Sequence, residues 1–386
     1  MISRFARGGF FNCLNKNPYL CTVFERIVMT LDAGGQSYTF SAVEQAREII
    51  APLSVSFKGD DLETTLKGII KYFWEVVGQL PQKPVAISFG FPGPCDYPLG
   101  IIGDLQNLPA FRGGVALADM LEEEFKIPVF INNDADLFAY GEAICGLLPA
   151  INKEFEDFGS PKRFRNLFGI TLGTGFGGGI VSNGQLFLGD NAVGGEINRM
   201  GNILYPEYSV EESVSIRGIQ RVYAREAGIK SQEIPETKEI YEIAIGQKDG
   251  NKTAALRAFD EFAVVLAQSL VNAVTLVDGI ISVGGGLAGA SSLFLPKVVE
   301  AMRKPYKTVS ENSLGRLESL VFNLDNPVER KAFIKGDIQE ITVPFSKKTI
   351  KYDPMKRIGI GKAILKTHEA TSIGAYAFAI NKLSEL

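Results

Sequence analysis

The sequence predicts an α/β protein of two similar halves. Apolar strand patterns alternate with amphipathic helix patterns along most of the chain, which is typical of a sheet flanked by helices. A strand, a glycine-containing turn and a second strand occur in this order twice, at residues 26–43 and 166–188. Leu31 and Leu172 occupy equivalent places in the two repeats, 141 residues apart. A repeat at this domain-sized spacing indicates two related domains, each with a hairpin that faces phosphate.

The composition is that of a globular protein with a substantial core. The 386 residues are 46% hydrophobic and 22% charged, with a formal net charge of −4. This acidic balance argues against nucleic acid or an anionic membrane as the main partner. No apolar run reaches the roughly 20 residues of a membrane span, residues 1–25 lack the apolar core of a signal peptide, and the four cysteines have no C-x-x-C spacing. We therefore expect a reduced, cytoplasmic protein.

The glycine-rich run at residues 173–179 allows two kinds of nucleotide site. Gly173, Gly175 and Gly178 fit the G-x-G-x-x-G spacing of dinucleotide-binding proteins. That fingerprint requires a helix directly after the glycines, whereas here a second strand and an Asn-Gly hairpin turn at 183–184 follow. A Walker A sequence is also absent. The run therefore predicts a turn between two strands, either with backbone N–H groups that bind phosphate or without a ligand.

The other elements follow from the hydrophobic periodicity. Helices are predicted at residues 62–80, 115–125, 210–227, 253–276 and 372–386, and buried strands at 85–89, 128–131 and 279–283. Residues 305–370 contain short alternating runs and many lysines without a clear pattern.

Asp134 follows the predicted strand at 128–131 and precedes a predicted helix. Ligands of α/β sheets bind at the carboxyl ends of strands, so Asp134 and the neighbouring Asn133 are candidate ligand residues. An Asp before a helix is also a preferred N-cap, and the two roles are compatible. The predicted strand at 279–283 runs into three glycines, Gly284-Gly285-Gly286, and then a helix pattern, which predicts either a nucleotide contact or close packing of a strand on a helix. The chain has one histidine, His368, which argues against a Ser-His-Asp triad.

Several segments together resemble the ROK family of sugar kinases, within the actin-like ATPase superfamily. The family's phosphate loop D-x-G-G-T resembles Asp32-Ala33-Gly34-Gly35-Gln36, and its second loop G-T-G-x-G-G-G is matched in full from Gly173 to Gly179. Gly90-Phe91-Pro92-Gly93-Pro94, Asn107-Leu108-Pro109 and Asn133-Asp134-Ala135 are similar to its G-x-P-G-P, N-L-P and N-D-A motifs. Gly195-Glu196-Ile197-Asn198-Arg199 resembles G-E-I-G-H, and Val210-Glu211-Glu212 resembles C-L-E. Gly284-Gly285-Gly286 and Ile373-Gly374-Ala375 fit as well.

The resemblance implies a two-domain actin-like ATPase (ribonuclease H-like) fold with a cleft between the domains. Residues 26–145 and 372–386 would form a smaller sugar-binding domain. Residues 146–371 would form a larger nucleotide-binding domain, with an insertion at about 303–370.

The resemblance also implies a reaction, the ATP-dependent phosphorylation of a hexose or N-acetylhexosamine. Asp134 would be the general base, and Asp32 would hold Mg²⁺ through water. The sugar would contact Gly90, Asn107, Asn133, Asp134, Glu196, Arg199 and Glu212. ATP and its phosphates would contact Asp32, Gly34, Gly35, Gln36, Gly173, Thr174, Gly175, Gly177, Gly285 and Gly286.

Three departures from the family pattern affect these expectations. Gln36 replaces a threonine of the phosphate loop, and Arg199 replaces a histidine that contacts sugar. The family's cysteine cluster is missing, so no zinc site is expected. A non-catalytic sugar-sensing member of the family is the alternative, although Asp134 is retained and some 25 residues before the first strand are too few for a DNA-binding domain. We expect a small-molecule sugar as the partner, no nucleic acid or membrane, and a homodimer.

Overall fold

The computed structural model describes residues 26–33, 38–56, 61–93, 95–103, 111–230 and 233–385. The strands are, in chain order, β1 (Val28–Ala33), β2 (Tyr38–Glu44), β3 (Arg47–Glu48), β4 (Leu53–Val55), β5 (Ala86–Gly90), β6 (Ile101–Ile102), β7 (Val115–Ala116), β8 (Val129–Asn132), β9 (Leu167–Leu172), β10 (Phe176–Ser182), β11 (Gln185–Phe187), β12 (Ile280–Gly284), β13 (Tyr306–Lys307), β14 (Ser313–Leu314), β15 (Leu320–Asn323), β16 (Gln339–Thr342), β17 (Thr349–Tyr352) and β18 (Arg357–Lys362). The α-helices are α1 (Leu62–Val77), α2 (Leu117–Phe125), α3 (Asp134–Ile144), α4 (Leu147–Phe158), α5 (Ile216–Ala227), α6 (Thr237–Ala244), α7 (Lys252–Val277), α8 (Ser291–Arg303), α9 (Pro327–Lys335) and α10 (Thr367–Glu385).

The chain divides into two compact units. Unit 1 takes its described residues from Met1–Ala150, Gly179–Gly195 and Ile364–Leu386, and unit 2 takes its described residues from Ile151–Gly178 and Glu196–Ala363. The predicted sugar-binding and nucleotide-binding roles of the two domains stay a prediction.

Unit 1 contains a mixed sheet in the order β3-β2-β1-β5-β8. Strand β1 pairs antiparallel with β2 and parallel with β5, and β5 pairs parallel with β8. Asp32 of β1 lies opposite Gly90 of β5, and Gly90 lies opposite Asn132 of β8. Parallel pairing therefore brings the carboxyl ends of three strands, and the polar residues that follow them, to one edge of the sheet.

Hydrophobic clusters hold the helices of unit 1 on the sheet. One cluster joins the apolar side of α1, including Ile69 and Phe73, to Phe40 and Phe89 of the sheet. A second cluster includes Ile373, Tyr376 and Ile380 of α10 with Val28 of β1 and Ala86 of β5. Helices α3 and α10 approach each other at Gly141 and Gly374, where a Cβ atom would collide with backbone oxygens of the other helix. The helix that begins at Asp134 is thus packed firmly against its neighbours.

Unit 2 is built on the parallel strands β9, β12, β18 and β15, which are neighbours in this order. The central strand β12 is buried along its whole length, as expected for a parallel sheet covered by helices. Strand β10 follows β9 after the glycines, begins in unit 2 at Phe176 and continues into unit 1.

Helix α7 is the longest helix in the described residues. By length and composition alone it could span a membrane, and it is the one such helix in the described part of the chain. In unit 2 it packs against α5, α6 and α8, with Phe259, Phe262 and Leu266 buried. This packing accounts for its apolar composition, because a core helix buried on most sides must be apolar.

Residues 303–370 contain two different kinds of structure. Strands β15 and β18 belong to the sheet of unit 2, whereas β16 and β17 form a hairpin whose strand residues are all exposed. The weak sequence pattern follows from this exposure, since an exposed hairpin has no need for apolar alternation.

Most of the predicted elements are confirmed, with shifted ends. Strands β9 and β10 flank the glycines, no helix follows them, and Asn183 and Gly184 form the turn of the β10–β11 hairpin, with φ of 51° and 79°. The helix predicted at 210–227 begins only at Ile216, after a 3₁₀ turn at Val210–Glu212. The last helix begins at Thr367 instead of 372, which places His368 in its first turn.

Candidate active site

Asp134 is the first residue of helix α3, at the carboxyl end of strand β8. The cap of this helix is Asn133, whose side-chain oxygen accepts a hydrogen bond from the Ala135 N–H at 2.8 Å. The interpretation of Asp134 as the N-cap is therefore wrong by one residue. The Asp134 Oδ1 accepts from the same N–H at 2.9 Å. Because Asp134 is exposed, a ligand can reach its carboxylate.

Gly90 and Gly179 allow the neighbouring strands to pack closely against the start of helix α3. A Cβ atom on Gly90 would lie 3.1 Å from the Asp134 Cα and 3.2 Å from the Thr371 Cγ2. A Cβ atom on Gly179 would lie 2.7 Å from the Ala135 carbonyl oxygen. Strands β5 and β10 can therefore approach the first turn of α3 only because these two residues have no side chain.

The Asp134 carboxylate lies close enough to Asp32 to affect its charge. Burial and the neighbouring Asp134 carboxylate raise the pKa of Asp32, while the His368 side chain lowers it. The Asp134 carboxylate reaches solvent, but the surrounding protein atoms exclude most of the water around it. This desolvation raises the pKa of Asp134, although the hydrogen bond from the Ala135 N–H opposes the shift. A raised pKa suits a group that must accept a proton near neutral pH. Two nearby carboxylates are also a favourable setting for a divalent cation, which would offset their repulsion.

Tyr97 is a site residue that no sequence motif indicates. Its hydroxyl donates a hydrogen bond to the Phe91 carbonyl oxygen at 2.9 Å and accepts one from the Asn133 Nδ2 at 3.4 Å. Burial raises the pKa of Tyr97, so the hydroxyl stays protonated. A Cβ atom on Gly93 would collide with this hydroxyl. Tyr97 therefore orients the Asn133 amide beside Asp134.

In unit 2, the glycine turn (Gly173–Gly175) is held by the segment that precedes helix α5. The Ile216 N–H donates to the Gly173 carbonyl oxygen at 2.9 Å. The N–H of Phe176, the first residue after the turn, donates to the Glu211 Oε2 at 2.9 Å. The structure thus adds Glu211 to the candidate residues, whereas the sequence motif pointed to the adjacent Glu212.

Glu212 is engaged by Arg217. The Arg217 Nε and Nη2 both donate to the Glu212 Oε1, at 3.1 and 2.7 Å. The hydrogen bond from Arg217 holds the pKa of Glu212 below its usual range, although partial burial opposes this shift. Glu212 is therefore an ionised acceptor at neutral pH, which suits a residue that binds sugar hydroxyls.

Glu196 precedes a short 3₁₀ helix in unit 2, Ile197–Arg199, and Arg199 is its last residue. Arg199 is exposed, and its side chain forms no ion pair with any described residue. The neighbouring candidate Glu212 pairs with Arg217 and not with Arg199.

The glycines after strand β12 differ in their surroundings. Gly285 has φ of 83°, and a Cβ atom there would collide with the backbone of Leu172 at the end of β9. Gly286 has open space around it. Close packing therefore explains Gly285, while Gly286 leaves room for a ligand.

Part of the predicted site lies outside the described residues. This part comprises Gly34, Gly35, Gln36 and Asn107. Their assignments stay predictions.

Hydrogen bonds hold residues 201–209, where the sequence lacks the family's cysteine cluster. The Asn202 Oδ1 accepts from the Leu204 and Tyr205 N–H groups at 3.0 and 3.2 Å, and its Nδ2 donates to the Ser213 Oγ at 2.9 Å. Across the described residues, no group of three or more His, Cys, Asp or Glu side chains is arranged to hold a metal ion.

Comparisons with known proteins agree on one family. The model of the ROK family matches residues 28–318. Among solved structures, a glucokinase from Parabacteroides distasonis is 47% identical, with a TM-score of 0.84 over 92% of this chain and 98% of that chain. The predicted actin-like ATPase fold of this family is therefore confirmed.

Relatives with known names include both enzymes and a regulator. An N-acetyl-D-glucosamine kinase from Vibrio cholerae is 28% identical over 291 residues, which cover 69% of this chain and 87% of that protein. A xylose repressor from Bacillus subtilis is 28% identical over 214 residues, which cover 54% of this chain and 51% of that protein. Because the ROK family model matches most of this chain, residues 28–318, the chain belongs to the ROK family.

Proposed function

We propose that the protein is a sugar kinase that transfers the γ-phosphoryl group of ATP to a hydroxyl of a hexose or N-acetylhexosamine. Asp134 accepts the hydroxyl proton, the sugar oxygen forms a bond to the γ-phosphorus, and the bond between that phosphorus and the β,γ-bridging oxygen breaks. ADP leaves with the electron pair of the broken bond. Phosphoryl transfer of this kind depends mostly on positioning and charge stabilisation.

The single observation that carries this proposal is the environment of Asp134. Its carboxylate is exposed at the start of α3, next to Gly90, and its pKa is raised. A carboxylate that only stabilised its helix would favour its charged form, with a lowered pKa. Asn133, oriented by Tyr97, would hold a sugar hydroxyl beside it.

Asp32 is the residue that fits the expected magnesium ion. Its carboxylate is partly buried and lies near that of Asp134, and both its burial and this neighbour raise its pKa. Mg²⁺, when bound through water to Asp32, would neutralise phosphate charge. The N–H groups of Thr174, Gly175 and Gly177 would bind phosphate oxygens, and Gly286 would face the nucleotide. The Gly173 N–H donates to the Gly175 carbonyl oxygen at 3.0 Å, so Gly173 would shape the turn instead of binding phosphate through this group.

Glu196, Arg199 and Glu212 would complete the sugar site. Glu212 accepts hydroxyl hydrogen bonds as an ionised carboxylate. The free guanidinium of Arg199 is a planar donor with permanent charge, so it would select sugars differently from a histidine.

An ADP-release assay over hexoses and N-acetylhexosamines, with Mg²⁺ and ATP, tests the proposal. At least one sugar should make ADP release depend on both the sugar and Mg²⁺. ADP release that no sugar stimulates would remove the kinase proposal and favour a non-catalytic sugar sensor, the role that similarity to a repressor supports. The predicted homodimer and cytoplasmic location stay predictions.

A further inference from the structure

We propose that Glu211 and Arg217 are positioning residues that shape the glycine turn and connect it to Glu212. The part of this inference that concerns nucleotide binding rests on the proposed function, because it takes the turn as a phosphate-binding segment. The contacts themselves all lie within unit 2 and involve residues that no sequence motif singles out for this role.

Three hydrogen bonds fix the backbone of the turn from one side. The Gly173 carbonyl oxygen accepts from the Ile216 N–H at 2.9 Å, and the Thr174 carbonyl oxygen accepts from the Arg217 Nη1 at 3.3 Å. The Phe176 N–H donates to Glu211 at 2.9 Å. Within the described residues, the N–H groups of Thr174 and Gly175 donate to no acceptor, which leaves them for an anion.

Arg217 joins the turn to both glutamates. Its Nη2 donates to the Glu211 Oε1 at 2.8 Å, and its Nε and Nη2 donate to the Glu212 Oε1. Glu211 thereby uses one oxygen for Arg217 and the other for the Phe176 N–H. The planar guanidinium can serve these acceptors at once, which a single ammonium group cannot do in the same geometry.

The contact between Glu211 and the turn also explains a glycine. A Cβ atom on Gly175 would lie 2.7 Å from the Glu211 Oε2, so a side chain there would displace the carboxylate. The hydrogen bond between Glu211 and the Phe176 N–H therefore requires a residue without a side chain at position 175.

Because Arg217 is partly exposed, its effect on the geometry of the turn can be measured apart from its effect on the stability of the protein. Its side chain is 46% exposed, and exposed ion pairs contribute little to the free energy of unfolding. Removing Arg217 should therefore change the geometry of the turn while the protein keeps its melting temperature. A merely structural ion pair would not affect nucleotide binding.

The first experiment measures hydrogen exchange of the peptide that spans the turn, without any ligand. In Arg217→Ala the Phe176 amide should exchange at least about ten-fold faster, the effect of losing one charge-assisted hydrogen bond. Arg217→Lys should not restore slow exchange. The matched control is Arg225→Ala, because Arg225 lies on the same helix and pairs with Glu226 and Glu261 instead. Unchanged exchange in Arg217→Ala would overturn the inference whether or not the protein is a kinase.

The second experiment measures KM for ATP and for sugar separately. Arg217→Ala should raise the KM for ATP about ten-fold, and Arg225→Ala should leave it unchanged. Glu211→Gln should also raise the KM for ATP, because the neutral amide loses its pairing with Arg217. A lower KM for ATP in Glu211→Gln would contradict the inference, since it would mean that the carboxylate competes with phosphate for the Phe176 N–H. Failure of the wild-type protein to phosphorylate any sugar would count against the proposed function alone, because the exchange experiment is independent of it.

Discussion

Replacing Gly90 with alanine tests whether the position of Asp134 matters. The new methyl carbon would lie 3.1 Å from the Asp134 Cα, 3.3 Å from its Cβ and 3.2 Å from the Thr371 Cγ2. These distances are shorter than an ordinary carbon–carbon contact of about 3.5–4.0 Å, so the start of α3 must shift by a few tenths of an ångström. A misplacement of about 1 Å can reduce a rate roughly 100-fold, and we therefore expect kcat to fall about 3- to 10-fold.

The assay compares kcat for the sugar that the wild-type protein phosphorylates best. Gly103→Ala is the matched control, because a Cβ atom at Gly103 has no neighbour within 4 Å. In an Asp134→Asn background, Gly90→Ala should have little further effect, since both changes act on the same group. If the two effects multiply in the double variant, or if Gly90→Ala leaves kcat unchanged, the assignment of Gly90 to the support of Asp134 is wrong.

Two further predictions concern stability and pH. Asp353 and Arg357 form a buried ion pair, and the Arg357 guanidinium lies 5.4 Å from the Phe155 ring centroid. Asp353→Asn leaves this guanidinium buried without its partner and should destabilise unit 2 by roughly 3–5 kcal/mol in denaturant unfolding. Glu63→Gln, which removes an exposed ion pair, is the control and should have no measurable effect. Burial alone would raise the pKa of Asp353, but hydrogen bonds from Arg357 and from backbone N–H groups lower it overall. The ion pair should therefore contribute its full stabilisation above the ordinary Asp pKa of about 3.9, and this stabilisation should be lost as pH falls through the lowered pKa of Asp353. Desolvation raises the pKa of Asp134, and a protonated Asp134 cannot act as a base. As pH decreases, kcat/KM should therefore begin to fall at a pH above the ordinary Asp pKa of about 3.9. The residual activity of Asp134→Asn should lack this pH dependence.

The fold could be predicted from the sequence where the pattern was repeated or strongly periodic. The glycine run followed by β-forming residues and Asn183-Gly184 distinguishes a hairpin from a dinucleotide-binding turn, and β9–β11 confirm it. The start of α10 was missed because the polar residues around His368 interrupt the apolar period. The hairpin β16–β17 gave no usable pattern because both of its strands are exposed.

The candidate site was predictable at the level of motifs but not of individual contacts. Asn133 and Asp134 are both good caps, and only the backbone geometry assigns the cap to Asn133. Glu211 and Glu212 are adjacent carboxylates, so nothing in the sequence tells which one contacts the glycine turn. Arg217 lies 43 residues from Thr174 and belongs to no motif. Tertiary packing decides these contacts, and local residue types do not encode it.

The most direct test of the central claim is sugar binding and turnover in Asp134→Asn. Calorimetric titration with the preferred sugar should give a dissociation constant within a few-fold of the wild-type value, because the amide still forms hydrogen bonds. The rate of ADP release should fall by about 100-fold or more, the usual effect of losing a general base. A kcat close to that of the wild-type protein would contradict the assignment of Asp134 as the base.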